Sequence, residues 1–365
     1  MAIIKTIEVD GVVYEVYDEG ARALMVVKAS GLPTGVVYDY IVNASGTTTT
    51  RISPIVAGTG ASSLMQQSLP LTGESAGFRA NTVLGNFSAA FGTRNIVGAK
   101  SSEALVAGGL LEDYGQNNFV FGNRSKSYVN QNLTGGYKCT NKASESIQVG
   151  NQLTIDGTIT VEADGTPTSD SKHNAQFGKS NTMGVATQGC FMAGEGISQG
   201  DGGLYNSVTG KGHTIDINLK YSRICGWNSS IGKSCDDIDV FGYGNNIGKY
   251  VQNSLVSGKQ NTVTDGSSSH KKTGIYILGD NCSNNGYSNF YGFGKGLRPV
   301  EAFQIVIGSY NVGTPNAWFE VGCGSSDGER ATAFAVCQSG SNKWIKIGGT
   351  ELSETQLQAL LALIA

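Results

Sequence analysis

Along most of the chain the hydrophobic residues fall in short runs of two or three, each closed by a glycine and followed by a polar turn. FVFG (119–122), IQVG (147–150), IVIG (305–308) and FEVG (319–322) show the unit plainly. Aromatic and β-branched residues before a glycine predict a short strand that runs into a turn. The units recur at fixed distances. Gly178, Gly194, Gly210, Gly226, Gly242 and Gly258 are each sixteen residues from the last, whereas Gly108, Gly122, Gly136 and Gly150 are fourteen apart, as are Gly294, Gly308 and Gly322. Such a repeat is too short for two helices. It fits two short strands and two turns, which is one coil of a parallel β-solenoid.

Two columns support this register. Two positions before the glycine stand Met192, Val208, Ile224, Val240 and Val256, and five after it stand Met183, Ile215, Ile231, Ile247 and Val263. Stacked coils turn each column into a ladder of like side chains and bury a continuous core. The glycine is expected where the chain turns with positive φ or where backbones crowd. Asn181, Asn245 and Asn261 are expected to take left-handed geometry and to bond the turn backbone. In the fourteen-residue coils Phe119, Val120 and Phe121, like Ile305, Val306 and Ile307, are apolar on both faces. A strand with one wet face alternates, so these runs predict burial on both sides, one in the coil interior and one against a partner chain.

Two stretches break the rhythm: TVEADGTPTSDSKHN (160–174) and TDGSSSHKKTG (264–274). Insertions in a solenoid go to its outside, as solvated loops or as contact loops. The ends differ as well. IIKTIEVDGVVYEVY (3–17) reads as a hairpin around Asp10-Gly11, and AFAVCQSGSNKWIKIGG (333–349) as another. Ser353 and Gln356 form a capping box before a short helix with Leu357, Leu360, Leu361 and Ile364 on one face. That face is expected near a threefold axis or on the hairpin. The organisation predicted is a β-rich N-terminal attachment region (1–80), a solenoid array (81–330) and a C-terminal hairpin with an amphipathic helix (331–365). From Gly92 to Gly322 the spacing gives roughly fifteen coils, and at about 4.8 Å per coil a rod roughly 70 Å long.

Composition narrows the function. Glycine is 52 of 365 residues, about twice the usual ~7%, and this serves the repeat. A formal charge of −3 with no basic run gives no case for nucleic acid or a membrane surface. No signal peptide and no apolar stretch near the ~20 residues of a membrane span are seen, so synthesis in the cytoplasm without membrane insertion is expected. The seven cysteines include no C-x-x-C pair, and buried free thiols are expected rather than disulfides or a metal site. Cys190, Cys225 and Cys323 lie beside repeat glycines, where a small apolar side chain would serve.

Candidate chemistry is sparse. GYGNNIG (242–248) and GFGKG (292–296) match neither nucleotide-binding glycine motif, and both sit on the repeat. His173, His213 and His270 are far apart, the first and last in the expected outer loops, with no carboxylate pattern that builds a triad. Asp236, Asp237 and Asp239 are candidates for glycan-cleaving carboxylates, but consecutive aspartates on a strand point to opposite faces, as at a solvated coil edge. YSNFYGFGKG (287–296) reads as packing on the roll or as a sugar platform. No catalytic, cofactor or metal residue is assigned, and no receptor-binding residue can be named.

The fourteen-residue coils, as in NNFVFGNRSKS (117–127) and FQIVIGSYNVG (303–313), resemble the head repeats of trimeric adhesins of the YadA type. That likeness implies a left-handed parallel β-roll with three chains around one axis. The opening IKTIEVDGVVYEVYDEGAR (4–22) and the close AFAVCQSGSNKWIKIGGTELSETQLQALLALI (333–364) are similar to the ends of fibre and appendage proteins of phages and prophages of gut bacteria. The sixteen-residue spacing departs from the adhesin period. The expectation is a homotrimeric tail or head fibre of a virion, joined to other virion proteins through its N-terminal region and touching a host surface glycan or protein. The alternatives are a capsule- or glycan-degrading phage spike enzyme and a bacterial surface adhesin.

Overall fold

The computed structural model describes residues 81–164 and 166–364 throughout, and before them residues 6–9, 12–19, 22–27, 37–41, 55–57, 59 and 63–66. The protein is nearly all β, 51% strand and 4% helix, and its main architecture is a parallel β-solenoid of about 15 turns. It divides into two compact units, Met1–Lys179 and Ser180–Ala365. Among the described residues no helix is long and apolar enough to cross a membrane.

As far as Val263 each coil contributes a long strand that ends around the repeat glycine and a two-residue strand just after it; the later coils keep only the long strand. In the first unit Leu105–Gly109, Phe119–Asn123, Leu133–Tyr137, Ile147–Asn151 and Ala175–Lys179 pair in parallel, with Gly108, Gly122, Gly136, Gly150 and Gly178 in register. In the second unit Gly194, Gly210, Gly226, Gly242, Gly258 and Gly279 are in register, as are Gly294, Gly308 and Gly322. The glycine is there because coils touch. A Cβ on Gly242, which has φ 112°, would lie 2.0 Å from the Gly258 carbonyl oxygen.

The expected columns are inside. Met192, Val208, Ile224, Val240 and Val256 are at most 1% exposed, and Met183, Ile215, Ile231, Ile247 and Val263 at most 2%. Two more inward columns, three after and four before the glycine, stand where the strands bend, and a polar side chain there can meet backbone groups of the next coil. Asn181, Asn245 and Asn261 belong to the first of these; none takes the left-handed geometry that asparagine tolerates, and all three bond backbone groups as expected. All three are fully buried. Asn245 donates through Nδ2 to the Phe241 carbonyl at 2.8 Å, and its Oδ1 accepts the Asn261 backbone N–H at 3.0 Å. Asn261 Oδ1 accepts the Cys282 N–H in turn at 2.9 Å. A side-chain amide, with two donors and an acceptor oxygen, thus satisfies a corner that the sheets leave open, Asn245 Nδ2 also reaching the Gly258 carbonyl at 3.2 Å.

The left-handed residue is instead the one before. Arg124, Lys138, Gln152, Ser180 and Gln260 all have φ between 54° and 58°. Their N–H groups point back along the stack: Arg124 to Gly109 O, Lys138 to Asn123 O and Gln260 to Tyr243 O, at 2.8–3.0 Å. A second left-handed position lies five before the glycine, at Gln131, Glu145, Tyr205 and Tyr221. The sixteen-residue coil adds a third at Gly202, Asn218, Ser234 and Tyr250. Asn218, Ser234 and Tyr250 also bond the preceding coil, at 2.7–3.0 Å. This extra corner accounts for the longer period: two added residues widen one turn and leave strand register untouched. A non-glycine left-handed residue costs about 1 kcal/mol, and the coil-to-coil bond offsets it.

The core is not uniformly apolar. Val83, Ala90, Val97, Val106, Leu111 and Val120 cluster in the early coils of the first unit. Beyond them the same interior columns carry Asp113, Ser127, Asn141, Thr134, Gln148 and Gln176, all fully buried. Buried side chains bond them: Asn118 Nδ2 to Asp113 Oδ1 at 2.6 Å, Asn132 Nδ2 to Ser127 Oγ at 3.2 Å, Asn141 Nδ2 to Thr134 Oγ1 at 3.1 Å, and Gln148 Nε2 to Gln176 Oε1 at 2.9 Å.

Both insertions contain strand. Ile159–Val161 and Pro167–Ser169 form an antiparallel hairpin, and Lys272–Thr273 pairs with Val251–Gln252. Near the N-terminus Thr6–Val9, Val12–Glu19, Arg22–Val27 and Val37–Ile41 make an antiparallel four-stranded sheet, with Val9 opposite Val12. The Asp10-Gly11 turn itself, and most of the Ser/Thr/Gly-rich stretch 31–80, lie outside the described residues. Leu64–Gln66 pairs in parallel with Ala89–Thr93 and so occupies the first coil's edge.

At the other end, pairing turns antiparallel. Ala317–Cys323 pairs with Thr332–Ser339, which forms the expected hairpin with Asn342–Ile347, followed by Thr350–Ser353. The capping box is present, Ser353 N–H to Gln356 Oε1 at 2.9 Å and Gln356 N–H to Ser353 Oγ at 3.2 Å. It opens helix α1, Glu354–Ile364. No residue of α1 is buried, and Leu360, Leu361 and Ile364 are 52%, 55% and 78% exposed. The helix lies against the hairpin strand Asn342–Ile347 and against Thr350–Ser353, with Leu357 half-buried and Leu357 and Leu361 facing Val336 and Trp344 across a pocket, so the face meets the hairpin but is not covered by it.

Candidate functional site

The outward faces of the two sheets differ in chemistry. On the long strands the residues three and one before the glycine point out. In the first unit these include Leu105, Phe119 and Ile147, 39–41% exposed, beside the fully buried Val106 and Val120. The doubly apolar run is thus resolved by the period of two: Val120 fills the coil, and Phe119 and Phe121 stack outside with centroids 5.2 Å apart. Leu105, Phe119, Leu133 and Ile147 line a groove of about 770 Å³ whose other edge carries Glu103 and Glu145. In the second unit the same face bears Tyr276 on Tyr291, parallel at 5.1 Å, with Leu278 and Phe293 beside them.

Along the strand Phe290–Lys295 the side chains alternate between the interior and the outward face. Phe290 is fully buried, and its ring takes the space above Gly292, where a Cβ would lie 2.6 Å from it. Tyr291 and Phe293 are turned outward. A further aromatic pair stands at the end of the long strands, where Trp227 and Tyr243 are in register and 61% and 43% exposed.

The short strands present a different surface. Ser198, Thr214, Ser230, Asn246 and Thr262 form its outward column in the second unit, one per coil, over the buried Ile215, Ile231, Ile247 and Val263. They edge a groove of about 510 Å³ floored by Gly200, Gly232 and Gly248. A Cβ on Gly232 would lie 2.8 Å from backbone of the next coil, so packing keeps this floor low.

The titratable candidates do not converge. Asp239 is held by a bidentate Arg223, which raises the guanidinium pKa, whereas Asp236 accepts from Gln252 at 3.2 Å. Asp237 sits in a left-handed corner, φ 51°. His173 is exposed and pairs with Glu145, and exposed His270 bonds Ser269 at 3.0 Å. His213 is fully buried in the asparagine column. Its Nε2 faces the Thr209 carbonyl at 3.1 Å and its Nδ1 accepts the Ser229 N–H at 3.2 Å, so the ring is the neutral Nε2–H tautomer. Burial lowers its pKa. Among the described residues no group of three or more His, Cys, Asp or Glu is placed to hold a metal ion.

All seven cysteines are free. Cys139, Cys190, Cys235, Cys282 and Cys337 are buried, and burial pushes the Cys235 thiol up to about 11. Cys225 and Cys323 correct the expectation of burial. Each adjoins the ladder glycine on the outward side of the alternation, and both are exposed.

Two buried acids gave no sequence signal. Asp113 lies in the column of Ile155 and Val97, and desolvation raises its pKa to about 7. Glu320 takes the place of the column valines in the last parallel strand, and its carboxylate accepts from Asn311 Nδ2 at 3.0 Å, the Gly313 and Thr314 N–H groups at 3.1 and 3.2 Å, and the Thr332 hydroxyl. Set against protein-family models and against curated proteins, the chain matches none.

Proposed function

We infer that this chain is a structural and binding protein of a phage particle, a homotrimeric tail or head fibre that projects from the virion and contacts the host surface. The observation that supports it most is the apolar outward column of the long strands. Leu105, Phe119 and Ile147 stand about 40% exposed in one column of the first unit, with half-buried Leu133 between the last two, and in the second unit α1 has an exposed apolar face of its own. Contiguous apolar surface of this kind marks an association site. A column that follows the coil stack suits copies of the chain laid side by side, since each rung meets the same rung of its neighbour. The flanking sequences that resemble phage appendage proteins supply the setting, with the N-terminal region as the mount.

Light scattering on the purified chain tests the assembly. A trimer of the 38.1 kDa chain is expected, one that dissociates only on unfolding. A stable folded monomer would sink the reading. A truncation that begins at Ala80 should still trimerise but fail to join particles; normal incorporation would refute the N-terminal mount alone.

A further inference from the structure

We propose that the groove along the short-strand sheet of the second unit binds a linear, uncharged polyhydroxylated chain, a glycan strand laid across successive coils. Thr214, Ser230 and Asn246 are exposed on three consecutive rungs, and among the described residues no hydrogen bond from their side chains to another group of the chain is seen. Their backbone N–H groups are already used, donating to the carbonyls of Ser229, Asn245 and Asn261 at 2.8–3.0 Å. The floor is closed in the same way: Gly200, Gly232 and Gly248 donate to Ile215, Ile247 and Val263 at 2.7–2.9 Å. A peptide strand seeking edge amides therefore finds none to pair with. What the groove offers is a row of side-chain groups that both donate and accept, one about every 4.8 Å along the stack.

A sugar chain has the matching pattern, with hydroxyls that donate and accept repeated along a stiff backbone. Charge argues the same way. The column Ser198, Thr214, Ser230, Asn246, Thr262 carries none. The charged groups that line the groove are Asp216, Asp265 and Lys249, and the two carboxylates accept the backbone N–H groups of Ile217 and Lys249 at 2.8 and 2.9 Å. Neither a polyanion nor a polycation finds a field of one sign. The first unit lacks this surface: its equivalent column contains Ile96 and the Glu112–Lys126 ion pair, 2.8 Å apart. The proposal rests on the fibre reading only for where the glycan is met, at the host surface.

The full chain is applied to an array of linear oligosaccharides from bacterial surfaces, with maltohexaose and chitohexaose as defined references. Binding to at least one neutral linear chain is expected. Each lost hydrogen bond should weaken it about fivefold, and T214V/S230A/N246A together about a hundredfold. The melting temperature should hold, because all three side chains point outward. T140V, on the equivalent column of the first unit, should bind like the parent. No binding by protein that scattering shows to be assembled and folded overturns the proposal while the trimer stands. So does undiminished binding by the triple variant, or a loss seen only on replacing Trp227 and Tyr243.

Discussion

Raising the pH should weaken the first unit through a single carboxyl. Asp113 is fully buried, next to Asn118, and desolvation raises its pKa from 3.8 to about 7. The folded state therefore holds this proton more tightly than the unfolded chain does. Between those two values the native protein binds more protons than the unfolded one, so stability falls as pH rises through the window and levels off above it. A shift of this size, at about 1.4 kcal/mol per pH unit, amounts to roughly 4 kcal/mol between acid and alkaline conditions. Asp113→Asn is the perturbation. It keeps the shape, cannot ionise, and places in this column the residue that Asn141 already supplies two coils on. Amide hydrogen exchange read on the coils between Asn95 and Asn141, at pH 5 and pH 8, isolates this unit from the rest. In the parent, protection corrected for intrinsic exchange should drop at pH 8, and in D113N it should be the same at both. Identical pH slopes in the two proteins would refute the assignment of this carboxyl as the neutral form.

Three further outcomes follow from the interior columns. The second unit should respond to acid with the opposite sign, because burial lowers the folded pKa of His213 below 6.5, so its contribution is lost as pH falls under that value; His213→Asn, matching Asn245 and Asn261, should remove the loss, and an unchanged acid slope in exchange data would count against it. Val240→Asp, fully buried between Ile224 and Val256, should cost on the order of 4 kcal/mol in denaturant unfolding, whereas substitutions at the exposed Ser267 or Ser269 should change nothing measurable. Glu320→Ala strands the donors of Asn311, Gly313 and Thr314 and should destabilise the last coil by roughly 3 kcal/mol or more, with Glu320→Gln intermediate; calorimetry that ranks the alanine variant with the parent would show that water replaces the carboxylate without loss.

The sequence alone determined what depends on near neighbours and on strict repetition. Strand alternation is a property of two or three residues, so Val240 inward and the glycine ladder were legible from spacing, as were the 353–356 capping box and the hairpin at 333–349. What depends on the facing coil was not legible. A left-handed corner at Arg124 or Lys138 carries no glycine, because the bond to a carbonyl of the preceding coil holds the backbone there. The column three after the glycine reads Ser125, Cys139, Leu153, Asn181, His213 and Asn245, without a common residue type, since its role is set by which backbone group of the next coil is left open. Buried Asp113 and Glu320 look like solvated charges in the sequence and become interior only when coils stack around them. The hydroxyl groove has the same origin. Thr214, Ser230 and Asn246 are sixteen residues apart in the chain and become one surface only because parallel register brings successive coils to adjacent rungs.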